Sequence, residues 1–407
     1  MNSRFYVILS LLASVLLVPS SLSAANTVEN IRFGITPDAV RVVLDTDSPL
    51  DYKAFVLGSP TRVVIDLPAV TFNVTPPKTH KQKGFISAYR YGAFQPSVSR
   101  LVLDANTLVV IDRIFRLPPD STKALPHRLV IDLKKATTDT FNRARKKGAL
   151  TSNEALLQQL RPPPLPPLPA KRRPLKPQEK PLVMIDPGHG GVDTGAISVN
   201  GYAEKDINLR TAKMLRRELL KSGRVRVAMT RTTDVFVSLA QRVHLARKKN
   251  ADLFISIHAD SHPKHFVKGF SLYTLSETAS DKEAAALAKR ENKADIIAGV
   301  DFNQKHPEVA HILIDLTQRE TMNYALRFSD FILQEVRGVA IPLQRPQRAA
   351  GFAVLKAPDV PSVLMELGYL SNKHDEKKLR NVQYLHRMAQ AIAKAIIAYT
   401  TWQQRRT

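Results

Sequence analysis

Four ionisable side chains stand at the ends of apolar runs or in turns, and together they are what a hydrolytic metal site requires. His189 lies in Asp186-Pro-Gly-His-Gly-Gly-Val-Asp-Thr-Gly195, which leaves an apolar run and enters a glycine-rich loop. Its glycines let the backbone turn tightly and leave the imidazole accessible. Glu204 stands in Gly201-Tyr-Ala-Glu-Lys205, just before an expected helix, and His258 follows the apolar run Leu253-Phe-Ile-Ser-Ile257. Glu366 ends Val363-Leu-Met-Glu. Two neutral imidazoles and one carboxylate, with a fourth position left to water, describe a catalytic zinc site. Zinc brings the pKa of its water toward about 7 and polarises a scissile carbonyl. A second carboxylate within reach of that water accepts its proton and passes it to the leaving amine, a role that suits Glu366. Each group taken singly also has a structural reading: a packed histidine, a turn or anion site, a solvated glutamate. Spacing alone does not name the ligands, because His262 and His265 closely follow His258.

The elements that must position these groups lie in residues 181–402, where strand and helix patterns alternate. Strands are expected at 182–185, 224–229, 253–257, 270–274, 352–355 and 363–366. Between them, Leu209, Ala212, Leu215 and Leu219 fall on one face of a helix over 207–220, and a last helix runs from about 382 to 400. The alternation predicts an α/β catalytic domain with a mostly parallel sheet and flanking helices. Open sheets of that kind place their sites at the carboxyl ends of the strands.

Upstream, residues 26–137 read as a small all-β sandwich domain. One pattern recurs four times: Arg41-Val-Val-Leu-Asp45, Arg62-Val-Val-Ile-Asp66, Arg100-Leu-Val-Leu-Asp104 and Arg128-Leu-Val-Ile-Asp132. Each is a charge, three β-favouring residues and an Asp that can open a turn, and the repetition points to two similar sheets. Residues 138–180 form a proline-rich, basic linker. Its first part is polar and expected to be briefly helical, and Arg161-Pro-Pro-Pro-Leu-Pro-Pro-Leu-Pro169 is expected to be a semi-rigid polyproline spacer.

Residues 1–25 read as a cleaved signal peptide. Arg4 precedes an apolar run from Phe5 to Val18, and small residues end at Ser23-Ala24-Ala25, so the mature chain is expected to begin near Asn26. The run is short for a bilayer span, no later segment reads as a transmembrane anchor, and no twin arginine precedes it. The general secretory route is therefore expected. Lys and Arg number 60 against 36 Asp and Glu, a net charge of +24, which favours polyanionic partners. Export turns that charge toward an anionic wall or membrane surface and away from nucleic acid. With no cysteine in the chain, any metal site must use His, Asp or Glu.

The run Asp186-Pro-Gly-His-Gly-Gly, then Glu204, then Ser256-Ile-His-Ala-Asp260, then Pro361-Ser-Val-Leu-Met-Glu-Leu-Gly-Tyr-Leu-Ser371 resembles the zinc-dependent N-acetylmuramoyl-L-alanine amidases. The resemblance implies one zinc held by His189, Glu204 and His258, and catalysis by Glu366. The reaction it implies is hydrolysis of the amide between the lactyl group of N-acetylmuramic acid and L-alanine in peptidoglycan. The β domain ahead of a proline-rich spacer is similar to the AMIN module, and the whole arrangement to periplasmic amidases of the AmiC type. That implies a periplasmic cell-division enzyme enriched at the division site and acting in septum splitting. An insertion at about 276–316 resembles the inhibitory helix of amidases that are activated by LytM-type partners. A carboxylate from it, Glu291 first and Glu283 second, is expected in the open zinc position. The sequence also leaves two other readings open: a zinc carboxypeptidase or endopeptidase of the wall, and a non-catalytic wall-binding protein.

Overall fold

A computed structural model describes residues 26–74, 82–152, 179–300 and 316–405. The expected signal peptide, the expected polyproline spacer and part of the expected insertion lie outside the described residues. The N-terminal unit contains β1 (Asn26–Ile35), β2 (Ala39–Thr46), β3 (Lys53–Leu57), β4 (Arg62–Pro68) and β5 (Val70–Phe72). It continues with β6 (Ile86–Gln95), β7 (Val98–Ala105), β8 (Val109–Leu117) and β9 (His127–Lys135). Two five-stranded sheets result, in the orders β5-β1-β2-β9-β8 and β10-β3-β4-β7-β6, where β10 is Leu150–Thr151.

The four-fold sequence pattern forms the centre of both sheets. Antiparallel pairing sets Arg41 opposite Asp132 and Asp45 opposite Arg128 in one, and Arg62 opposite Asp104 and Asp66 opposite Arg100 in the other. Opposite charges thus face each other across strands. Because side chains alternate along a strand, the intervening residues point the other way. Val42 and Leu44 meet Val63, Ile65, Leu101, Leu103, Leu129 and Ile131 in the sandwich core. Each such buried side chain contributes about 1.5–3 kcal/mol relative to exposure.

The structure differs from expectation where the linker begins. Helix α1 (Thr138–Lys147) is capped by the Thr137 side chain, which accepts the Thr140 N–H, and it buries Phe141 in the sandwich core. Strand β10 then pairs with β3. Residues 138–152 therefore belong to the β unit, because an aromatic anchor and a ladder pairing tie them back to it.

The second unit is a six-stranded sheet in the order β12-β11-β13-β16-β14-β15. Its strands are β11 (Leu182–Pro187), β12 (Arg226–Met229), β13 (Leu253–His258), β14 (Phe270–Leu275), β15 (Pro342–Ala350) and β16 (Ser362–Glu366). The first, second, third and last of these run parallel, while β14 is antiparallel to β16 and parallel to β15. The helices are α2 (Glu204–Ser222), α3 (Leu239–Lys248), α4 (Lys282–Glu291), α5 (Ala294–Ile297), α6 (Leu316–Val336), α7 (Lys373–Arg380) and α8 (Val382–Gln404). Val183, Ile185, Ile255, Ile257, Val363 and Met365 pack on one face with residues of α2, α6 and α8, while Met184, Phe254 and Leu364 pack on the other. Both faces are covered, which is why these strands read as unbroken apolar runs. The strand expected at 352–355 is instead a 3-10 turn, Ala353–Leu355, and the edge strand is β15. The turn buries Val354 and Leu355, so apolar content there reflects packing and not a strand. No helix among the described residues is long and apolar enough to cross a membrane.

A buried knot fixes the end of β11. Asp186 accepts from Arg242 Nη1 at 2.7 Å, Thr230 Oγ1 at 2.6 Å and Ser256 Oγ at 2.7 Å. Burial raises its pKa, but Arg242 and the two hydroxyls outweigh burial and hold the carboxyl below its usual value. The same guanidinium donates to the carbonyls of Pro187 and His189, so the ion pair steers the chain into the loop that follows. Removing one partner of such a buried pair strands the other charge, at a cost of about 3–5 kcal/mol.

Candidate metal centre

Three neighbouring parallel strands end at one place. β11 delivers the loop bearing His189, β13 ends on His258 and β16 ends on Glu366. His258 and Glu366 are register partners on adjacent strands. Glu204 opens α2, where its charge meets the positive end of the helix dipole. His189 itself has φ of 60°, a left-handed conformation uncommon for a non-glycine residue and concentrated at functional sites. Two glycines make the room. A Cβ at Gly188 would lie 2.3 Å from the His258 ring, and one at Gly195 would lie 2.6 Å from Glu204 Oε2 and from His189 Cδ2.

The donor atoms converge. His189 Nε2 lies 3.2 Å from Glu204 Oε2, and His258 Nδ1 lies 3.1 Å from Glu204 Oε1. Glu291 Oε2 reaches the same two nitrogens, at 3.4 Å and 3.2 Å. His189, His258 and Glu291 each offer a ligand atom within 4.8 Å of the others. His189 Nε2 is buried and makes no hydrogen bond, while Nδ1 is held by Asp193 Oδ2 at 2.9 Å. A carboxylate on one ring nitrogen fixes the tautomer that leaves the other free to bind a metal. Glu204 is anchored from its own domain: Ala196 N–H and Ala259 N–H each donate at 2.9 Å, and Asn208 Nδ2 donates at 3.2 Å. Two imidazoles, nearby carboxylates and an orphaned buried nitrogen fit a single divalent cation.

Electrostatics follow from burial and crowding. Burial lowers the His189 pKa, but the carboxylates of Asp193, Glu204 and Glu291 outweigh it and hold the imidazole well above its usual value. Burial likewise raises Glu204, yet His189 and His258 bring it well below the usual range. Glu366 is fully buried, and burial together with Asp260, Glu204 and Glu291 pushes its pKa well above the usual value. Its Oε2 accepts the Asp260 N–H at 2.9 Å, and its Oε1 makes no hydrogen bond.

Glu291 arrives on α4. Ala284, Leu287, Ala288 and Glu291 are its buried residues, the spacing of a single helical stripe. Glu283 lies off that stripe and is exposed, so the two expected carboxylates part company here. Arg290 pairs with Asp260, and Asn292 Oδ1 accepts the Ala353 N–H at 2.8 Å, so the end of α4 is fastened across the strand ends. Burial pushes the Glu291 carboxyl up to about 7 against the pull of the two imidazoles.

His262 and His265 stand apart from this group. His262 Nδ1 accepts the Lys264 N–H, and His265 Nδ1 lies against the Ser371 carbonyl in the loop beyond β13. Sequence reasoning passed over Asp193 and Asn208. Asp193 sits four residues beyond His189 within the quoted motif, and Asn208 one helical turn beyond Glu204, so both were open to a search for groups that orient ligands.

A family profile described as N-acetylmuramoyl-L-alanine amidase matches residues 183–398, and one described as AMIN domain matches residues 30–117. The N-acetylmuramoyl-L-alanine amidase AmiC of Escherichia coli O6:H1 is 33% identical over 388 residues, covering 93% of this chain and 91% of that protein. The AmiC of Neisseria meningitidis serogroup B is 33% identical over 371 residues, covering 88% and 86%. Among solved structures, the amidase AmiC2 of Nostoc punctiforme is 28% identical, covers 55% of this chain and 98% of that one, and has a TM-score of 0.39. This chain belongs to the N-acetylmuramoyl-L-alanine amidases and carries an AMIN domain ahead of its catalytic domain.

Proposed function

We propose that the protein is a periplasmic, zinc-dependent amidase that hydrolyses the bond between the lactyl group of N-acetylmuramic acid and L-alanine in peptidoglycan. In this reading His189, Glu204 and His258 hold the zinc and Glu366 is the general base. The observation that carries it is the convergence of these four side chains at the ends of β11, β13 and β16 and the start of α2, in a domain of this family. Zinc bound there supplies Lewis-acid activation of water and of the scissile carbonyl. Asp193 orients His189, and the Ala196 and Ala259 N–H groups aim Glu204. Glu366 presents an unpaired, buried Oε1 with a raised proton affinity, suited to taking a proton from water and returning it to the leaving amine.

In this reading Glu291, with Oε2 3.4 Å and 3.2 Å from the two imidazole nitrogens, competes with substrate and water and keeps the site closed. A LytM-type activator is the partner proposed to draw α4 away. Kinship with AmiC amidases supports a role in septum splitting at the division site. The expected signal peptide supports export to the periplasm.

His189→Ala, Glu204→Ala and His258→Ala are each expected to lose bound zinc and hydrolysis together, measured as zinc per folded chain and release of stem peptides. His262→Ala and His265→Ala are expected to keep zinc. Retention of zinc by any of the first three, or its loss from either of the last two, would assign the ligands differently.

A further inference from the structure

The sheet β10-β3-β4-β7-β6 is buried on both faces at its centre, and only one of those faces is accounted for by the sandwich core. Val63, Ile65, Leu101 and Leu103 point into that core. The alternate residues Val64 and Val102 lie in a separate cluster with Leu57, Val192, Phe236 and Ala298. Val192 belongs to the His189 loop, and Ala298 follows α5, immediately downstream of Glu291. The outer face of the AMIN sheet therefore packs on the catalytic domain at its metal loop and at the far end of the blocking segment.

Three arginines of that face grip the segment. Arg62 Nη1 donates to the Ile296 carbonyl, and Arg90 Nε donates to the Ile297 carbonyl at 2.7 Å. Arg100 Nη1 donates to the carbonyls of Ala298 at 2.9 Å and Gly299 at 2.8 Å. These are the carbonyls at the end of α5, where a helix runs out of its own donors. The arginines are themselves held: Arg100 by Asp66 and by the Phe94 ring 3.4 Å away, Arg90 by Asp104. Gly299 sits at φ of +67°, and a Cβ there would come within 2.9 Å of Val64 Cγ2, so backbone and sheet are in direct contact. Phe94 also stacks on Phe236, and the edge of β6 meets the metal loop so closely that a Cβ at Gly92 would lie 2.8 Å from the Gly191 backbone.

We infer that the AMIN domain is part of the autoinhibitory lock: Arg62, Arg90 and Arg100 hold the end of the α4–α5 segment and so keep Glu291 seated. The inference rests on the reading of Glu291 as the blocking group. Seating of the β domain and seating of Glu291 are then one coupled equilibrium, and whatever lifts the domain from this face eases release of the segment.

The test uses the mature full chain, residues 26–407, as Arg62→Met/Arg90→Met and separately as Gly299→Val. Arg100 is left intact because its partner Asp66 is buried. Circular dichroism and urea unfolding establish that both variants are folded. Amide hydrogen exchange over 282–300 and unassisted hydrolysis of purified peptidoglycan are then compared with wild type and with Glu291→Ala. Faster exchange in that segment and a rise in hydrolysis on the order of five- to thirty-fold are expected. No further rise is expected when the arginine changes are added to Glu291→Ala, because the arginines act only by keeping that carboxylate seated and it is then gone. A gain in Glu291→Ala with none in the folded arginine and glycine variants overturns the lock alone. A wild-type rate in Glu291→Ala shows instead that the blocking reading has failed, and the lock falls with it.

Discussion

Replacing Glu366 with Gln will lower peptidoglycan hydrolysis by about 10²–10⁴-fold while zinc content stays at the wild-type level. The change is nearly isosteric, so the side chain keeps its place at the end of β16 beside His258. Its amide oxygen can still accept the Asp260 N–H that now binds Oε2. What the amide cannot do is take a proton from water and return it. The buried, crowded surroundings that raise the Glu366 pKa make it a stronger base than an exposed carboxylate, and Gln forfeits that wholly. The variant is to be made in the Glu291→Ala background, so that closure of the site does not mask the loss. Zinc per chain and stem release are the two readings. Loss of zinc with Glu366→Gln would make Glu366 a ligand and return the choice of base to the other buried carboxylates.

Glu291→Ala will raise unassisted hydrolysis by about 5–150-fold, the usual range for a coupling of this kind. The Glu291 carboxylate lies within 3.4 Å of both imidazole nitrogens, and in the proposed reading substrate must displace it before reacting. Alanine removes the competing group and leaves the apolar stripe of α4, formed by Ala284, Leu287 and Ala288, in contact with the domain. Glu283→Ala is the matched control, since Glu283 is exposed on the same helix, and it should leave the rate unchanged. Equal rates for wild type and Glu291→Ala would show that the carboxylate does not close the site.

His258 and Glu366 were legible because each ends an apolar run, and His189 because it lies in the glycine-rich loop after one, the mark a buried parallel strand leaves in a sequence; Glu204 was read from the start of a helix. His189, His258 and Glu366 follow from where β11, β13 and β16 stop. Choosing His258 over His262 and His265 was beyond spacing, and the fold separates them by anchoring the later two to the loop around Ser371. Glu291 was legible as one of two helical carboxylates, and the buried stripe of α4 distinguishes it from Glu283. The Arg-to-Asp repeat announced two similar sheets, and pairing register explains it. What the repeat concealed is that its two pairs, one in each sheet, face different surroundings. Arg41 is exposed, whereas Arg62 and Arg100 are buried against the enzyme. Nothing local marks that difference, because it depends on a contact between residues far apart in the chain. Edge strand β15, rich in Arg, Gln and Pro, lacks the apolar run of an interior strand, so the neighbouring apolar turn at 353–355 took its place in the reading.

The most direct test is the mass of what leaves the wall. Purified peptidoglycan is incubated with the Glu291→Ala protein, with and without a zinc chelator, and the soluble products are weighed. The account predicts intact stem peptides with a free L-alanine amino terminus, released only when zinc is present. Fragments cut within the stem, or release that survives chelation, would contradict it.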